Sequence, residues 1–335
     1  MIRILSIVGL ILLLSCPSYG NDDEKKPIGN RDSTYISLPK YPWSFRLYGV
    51  YKPINVLIRT NSDSLPSANY NPRAKIGIGI GTYYRSIGLW TGFRIDAFNR
   101  KNKRVQLDLQ LNQYGDRFTN DLYFQYYKGL FLENPEAFSR YSPLPSSTNL
   151  RSDMSILNYG LSSNYYFNWK RFSMRAAFVQ SETQKKSAGS FLIGGSFSNF
   201  KFSADSSIIP NSKLFTDQSI RSGNFISLAS NIGYSHTFVW KQHFYANLSA
   251  LAGPGISAWR YVIDDASEDK GIRPSFRVGG RFSVGYNAER YFLGLSSVID
   301  QFTVFFNDNN VSYVYGNMRL FIGYRPDFSS GKARR

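Results

Sequence analysis

Among 335 residues there is a single cysteine and there are only two histidines. The cysteine is Cys16, in the N-terminal stretch, so the body of the chain holds neither a disulfide framework nor a thiolate metal site. Stability must come from backbone ladders and packing. After the N-terminal stretch, no apolar run approaches the roughly 18 residues that a membrane-crossing helix needs. A phosphate loop, a dinucleotide fingerprint and a cysteine–histidine metal cluster are also missing, so no cofactor is expected.

What is present begins with a secretory leader. Arg3 precedes an apolar stretch from Ile4 to Leu14, and small residues lead to Gly20, the pattern of a cleaved signal peptide over residues 1–20. The mature chain then starts near Asn21. A competing reading takes Leu13-Leu14-Ser15-Cys16 as a lipoprotein box, with Cys16 acylated. The formal charge of +17 falls by one when Arg3 leaves with the leader. Such a basic chain in the cytoplasm would suggest nucleic acid, but export removes that partner. The cations are then available to lipopolysaccharide phosphates, other outer-membrane lipids or anions in a lumen.

The mature chain is rich in Tyr, Phe, Gly, Ser and Asn, and its apolar residues alternate. Val105, Leu107, Leu109 and Leu111 interleave with Gln106, Asp108, Gln110 and Asn112, which is a strand with one oily and one wet face. Leu89, Thr91, Phe93, Ile95 and Ala97 repeat the pattern against Trp90, Gly92, Arg94 and Asp96. Ile76, Ile78 and Ile80 alternate with Gly77, Gly79 and Gly81, leaving room on the bare face for large neighbours or a plug. Further alternating segments cover 157–167, 172–178, 225–234, 244–252, 276–286, 291–305 and 313–324.

Short connections at 168–171, 240–243 and 287–290 are bordered by aromatics, whereas 59–74, 132–152, 209–223 and 259–274 are long and polar. Short turns facing long loops, with aromatics near strand ends, predict an all-β fold: a transmembrane antiparallel up-and-down β-barrel with periplasmic turns and extracellular loops. The count is about 14 strands, with 12 the alternative if the weak segments 191–197 and 200–207 do not form a hairpin of their own. Residues 21–42 read as a periplasmic lead-in, 43–325 as the barrel and 326–335 as a solvated basic tail. A soluble β-sandwich is the rival fold, but its strands are usually only about 5–6 residues long.

Several strings carry a resemblance. They are Tyr70-Asn71-Pro72, Asp121 with Tyr126-Tyr127-Lys128-Gly129, Arg175-Ala176-Ala177-Phe178, the run from Gln184 to Ser190, and Asp205-Ser206-Ser207. In these the chain resembles the domain-of-unknown-function family 4421, bacterial outer-membrane barrels, from about Tyr35 to Tyr324. The resemblance implies a barrel in a Gram-negative outer membrane, inserted by the barrel-assembly machinery. It brings no catalytic residue.

Arg94, Asp96, Asp108, Asp121 and Arg175, with Gln106, Gln110, Asn112 and Gln125, are candidates for a polar lumen network, since buried charges are tolerated when paired. Lys185, Lys186, Ser187 and Gly189 are candidates for an anion-contacting extracellular loop, with Gly189 as a backbone constraint. A lipid-modifying enzyme would need serine activated by histidine. His243 falls in a turn and His236 follows Ser235 in a strand, where neighbours point to opposite faces, so no catalytic residue is assigned. The expected roles are a passive pore, a ligand binder or a structural envelope protein, with a lipid- or lipopolysaccharide-modifying enzyme and a soluble secreted binder as alternatives.

Overall fold

The period-two pattern folds into one antiparallel sheet that closes on itself. The computed structural model describes residues 30–60, 66–72, 76–84, 87–94, 105–139, 149–209, 220–263, 267–306 and 309–328, with backbone alone at 60, 87–94, 105–106, 139, 263, 306 and 309. The leader and Cys16, Asp96 and residues 329–335 of the basic tail lie outside these residues.

In chain order the strands are β1 (Ile36–Ser37), β2 (Trp43–Tyr51), β3 (Ile54–Thr60), β4 (Ala68–Asn71), β5 (Ile76–Tyr84), β6 (Ile87–Arg94), β7 (Val105–Tyr114) and β8 (Phe118–Leu132). They continue with β9 (Leu150–Tyr166), β10 (Thr183–Gln184), β11 (Ala188–Ser203), β12 (Ile220–Trp240), β13 (Phe244–Ile263), β14 (Glu268–Asn287), β15 (Tyr291–Phe306) and β16 (Asn309–Tyr324). Antiparallel ladders join β8, β9, β11, β12, β13, β14, β15, β16, β3 and β4 in that order, and β4 returns to β8. This ring of ten strands is a closed barrel.

Four more segments widen it towards one end. β16 pairs with β3 over its first half and with β2 over its second, so β2 and β3 are two halves of one strand interrupted at Lys52-Pro53. β5 pairs with β2 and β6, and β7 pairs with β8. β8 changes partner at Gly129: Lys128 still faces Val105 of β7, whereas Phe131 faces Asn71 of β4. Gly129 takes φ 82 there, a left-handed conformation that glycine adopts without a Cβ penalty.

The sheet has fourteen ladder segments. Because β2 with β3, and β4 with β5, each trace one crossing, they amount to twelve crossings among the described residues. Two expected strands are absent. Segments 191–197 and 200–207 are not a hairpin but mostly one strand, β11, whose Ser198 and Asn199 stay in register with Gly160 and Tyr159 on one side and Ser227 and Ile226 on the other. Segment 172–178 contains a helix, Met174–Phe178, in place of a strand. Its N-cap, Ser173, accepts a hydrogen bond from the Ala176 N–H, and two alanines supply helix propensity.

Three short turns, at 115–117, 241–243 and 288–290, lie at one end of the barrel with the start of β2 and with Arg325. We call this the turn end and the opposite rim the loop end. The polar segment 259–274 is mostly strand, because β13 runs to Ile263 and β14 begins at Glu268. Strands of 20 and 21 residues exceed the roughly 9–11 that cross a bilayer.

The outer face is apolar. Leu107, Leu109 and Leu111 are exposed at 44%, 58% and 37%, and Ile76, Ile78, Ile80, Leu320 and Ile322 are similarly bare. In water such a continuous surface would be costly, at about 25 cal/mol per Å². In lipid it is the matching solvent.

Candidate functional site

The sequence puts small polar or aromatic side chains at the inward positions, and they fill the barrel in three layers. At the loop end the filling is apolar. Phe200 of β11 and Tyr313 of β16 come from strands five places apart in the ten-strand ring, yet their ring centroids are 4.5 Å apart. Tyr123 of β8 packs tilted against Tyr315 at 4.6 Å, and Ile208 and Ile209, after β11, fold over this layer and are buried in it. The Tyr70 hydroxyl donates to the Ile208 carbonyl at 2.6 Å.

The middle layer is polar and bridged from wall to wall. Arg277 donates to Asp300 Oδ1, with Nη2 at 2.5 Å, and to Ser162 Oγ at 2.8 Å. Arg281 pairs with Asp121, which also accepts from Asn112 at 2.6 Å. Asp108 is held by Lys52 at 3.0 Å and by the Tyr127 hydroxyl at 2.6 Å. Gln125 accepts from Asn158 and from Tyr313, and Gln110 accepts from Asn317 at 3.1 Å. Buried guanidinium groups persist only when paired and hydrogen-bonded in this way.

The turn end is closed by the connection 167–187, which folds inward. Phe172, Met174, Ala177, Phe178 and Val179 pack against Tyr83, Tyr114 and Tyr166 of the wall. Gln180, at φ 50, is fixed in this left-handed conformation by Nε2 bonds to the Ala177 carbonyl and the Tyr245 hydroxyl. Arg46 donates to the Val179 carbonyl at 2.5 Å, and Arg325 donates to the Gln180 carbonyl.

The N-terminal segment locks this plug. Arg31 reaches Glu182 Oε1 at 2.6 Å, Arg175 reaches the same oxygen at 2.5 Å, and both arginines reach Asp116. Glu182 is fully buried and also accepts from Ser173 Oγ. β1 and β10 pair beside it. At the entry to this segment, hydrogen bonds from the Thr34 hydroxyl and N–H hold the Asp32 carboxyl below its ordinary value.

Of the five residues expected in one lumen network, Asp108 and Asp121 are in the polar layer. Arg175 is not with them, because it belongs to the plug helix. For Arg94 only the backbone is described, opposite Gly77, and Asp96 lies outside the described residues. Gln110, Asn112 and Gln125 also hydrogen-bond in this layer, and the side chain of Gln106 is not described.

Lys185, Lys186, Ser187 and Gly189 are at the turn end, not in a long loop. The physical reason is parity: reading 172–178 as a strand carries the chain across the barrel once too often, and the helix removes that crossing. Lys185 Nζ donates to the Ser33 carbonyl, and Ser187 Oγ accepts from the Val239 N–H. Gly189 is a notch in the outer face rather than a turn. A Cβ there would lie 2.1 Å from the Tyr234 hydroxyl and 2.6 Å from His236 Nδ1.

Sequence reasoning missed Arg277, Arg281, Asp300, Arg31 and Glu182. The first two were findable, since they alternate on β14 with the exposed Phe276, Val278 and Phe282.

A family model described as "Domain of unknown function (DUF4421)" matches residues 30–325. No curated protein matches the chain. Among solved structures, the outer membrane protease OmpT from Escherichia coli is similar with a TM-score of 0.42 at 7% identity, over 85% of this chain and 97% of that one. Ail, the attachment invasion locus protein of Yersinia pestis, gives 0.28 at 10% identity over 84% and 99%. The Pseudomonas putida toluene transporter TodX gives 0.24 at 6% identity over 86% and 90%. Likeness this slight transfers none of those proteins' properties.

Proposed function

From the premise that the chain belongs to the DUF4421 family, whose description names no activity, we propose that it is a sealed outer-membrane barrel of a Gram-negative envelope. It acts as a structural or anchoring element and not as an open diffusion pore. The observation that carries this reading is contact between opposite walls, with Phe200 on Tyr313 in the apolar layer and Arg281 on Asp121 in the polar one. Barrels of about 8 strands are just wide enough for side chains to fill and aqueous channels are typical of about 16–18 strands, and the ten-strand ring lies nearer the filled end.

The lipid face supports membrane residence, and the short turns support a periplasmic turn end. Insertion by the barrel-assembly machinery belongs to the same proposal. An enzyme built on Ser235 and His236 is disfavoured, because Ser235 is buried inside the barrel while His236 lies with Tyr234 and Phe238 on the outer face.

The test is planar-bilayer conductance of the refolded protein, after heat-modifiable gel migration has established that it is folded. A silent bilayer is the expected result, and a steady conductance would overturn the sealed-lumen reading. Glu182→Ala removes the acceptor shared by Arg31 and Arg175, and this variant is expected to admit ion flicker as the plug loosens.

A further inference from the structure

The turn end carries a band of cations seated on aromatic rings. The Arg117 guanidinium lies 4.2 Å from the Trp169 ring centroid, and Lys170 Nζ lies 5.9 Å from the same ring. Arg171 and Lys186 flank Tyr35 at 5.2 and 5.5 Å, and Lys241 lies 4.6 Å over Trp240. These residues come from the β7–β8 turn, the start and end of the plug, the N-terminal segment and the β12–β13 turn. They form a patch because the fold brings those connections to one rim. The Asp32 N–H bonds the Lys170 carbonyl at 2.9 Å, and the Lys185 N–H bonds the Tyr35 carbonyl at 2.7 Å.

Two properties set the patch apart from the ion pairs of the plug. Arg117, Lys170 and Lys186 are exposed. Aromatic faces orient their charges without neutralising them. Immediately towards the middle of the barrel lies a girdle of outward rings, with Phe118 on Tyr165 at 5.1 Å, Tyr165 on Phe167 at 5.3 Å and Trp240 on Phe244 at 5.5 Å. Rings at the level of the glycerol backbone, with cations one step further out, match the layering of a phospholipid leaflet.

On the membrane-barrel reading above, we propose that this rim binds the phosphate head groups of anionic glycerophospholipids in the leaflet that meets the turn end. The acyl chains lie along Phe167, Phe191 and Trp240, which are 60%, 69% and 63% exposed. The phosphodiester sits among Arg117, Lys170 and Lys186.

The experiment uses the full mature chain refolded in mixed phosphatidylcholine and phosphatidylglycerol vesicles. The lipid retained by the barrel is read by native mass spectrometry after detergent extraction. Retained phosphatidylglycerol is expected to exceed its share of the vesicle several-fold. The triple variant Arg117→Gln, Lys170→Gln, Lys186→Gln should return to the vesicle ratio, whereas Lys270→Gln with Arg273→Gln on β14 at the loop end should not. Equal retention by wild type and the triple variant overturns the proposal, as does enrichment lost only with the β14 pair. Binding of isolated peptidoglycan to the wild type with no lipid enrichment also overturns it, in favour of an anionic polymer as partner. Heat-modifiable migration of every variant separates this outcome from failure of the barrel reading itself.

Discussion

Arg281 on β14 and Asp121 on β8 form an ion pair across the interior, from strands five places apart in the ten-strand ring. Arg281 is 3% exposed and Asp121 16%. Removing one partner strands a buried charge, which costs about 3–5 kcal/mol. Asp121→Asn should therefore lower the urea midpoint of the vesicle-inserted barrel sharply. Asp121→Leu combined with Arg281→Met should recover most of the loss. If the single substitution left the midpoint unchanged, the pair would not brace the two walls.

Gly253 on β13 has no room for a side chain against β12. A Cβ there would meet the Ser230 carbonyl oxygen at 1.7 Å and its carbon at 2.6 Å, both backbone atoms that move only with the ladder. Gly253→Ala is expected to destabilise by about 1–3 kcal/mol. Gly280→Ala, with nothing within 4 Å, should be close to neutral. Unfolding curves of the two variants measured side by side decide the matter.

Leu109, 58% exposed on β7, is a lipid-facing side chain on the membrane reading. Leu109→Arg should cost on the order of 2–4 kcal/mol if the position lies near the bilayer midplane. Refolding yield into vesicles is the simplest readout. Yields equal to wild type would move β7 out of the lipid.

Asp32 ties the N-terminal segment to Thr34 and to Arg171 at 3.2 Å. Its folded-state acidity lies below the ordinary carboxylate value of 3.8, so the tether is at full strength above about that pH and is lost as pH falls through the lower folded value. Protection of the amides from Ser33 to Ser37, measured as hydrogen exchange relative to the intrinsic rate at the same pH, should fall as pH drops below about 3.8. With Asp32→Asn that pH-dependent loss of protection should vanish.

Much of the barrel was legible because lipid imposes period two on every crossing strand. The leucines of β7 and the isoleucines of β5 are outward, and the glycines of β5 leave room for Tyr48 and Arg46, their opposite numbers on β2. The plug was not legible. Phe-Ser-Met-Arg-Ala-Ala-Phe satisfies a strand pattern as well as a short helix, and only the Ser173 cap and the apolar wall around it settle the choice. Ser198-Asn199 looked like a turn because both residues favour turns, yet β9 and β12 hold them in a continuous ladder. The cross-wall pairs had no local signal, since nothing in β8 announces which residue of β14 will face it. What the sequence could show was which residues point inward.

β16 is the last strand among the described residues, and it hydrogen-bonds to β15 on one side and to β2 and β3 on the other. The ring therefore has its seam between the first strand made and the final one. Until β16 has been made, β2 and β3 lack this neighbour, and closure joins residues nearly the whole barrel apart in sequence. Such non-local pairing is slow to form, so the edges of the open sheet stay unpaired until β16 arrives. A truncation before Asn309, which removes β16 whole, should leave an unclosed sheet for proteases to clear, not a slightly smaller barrel.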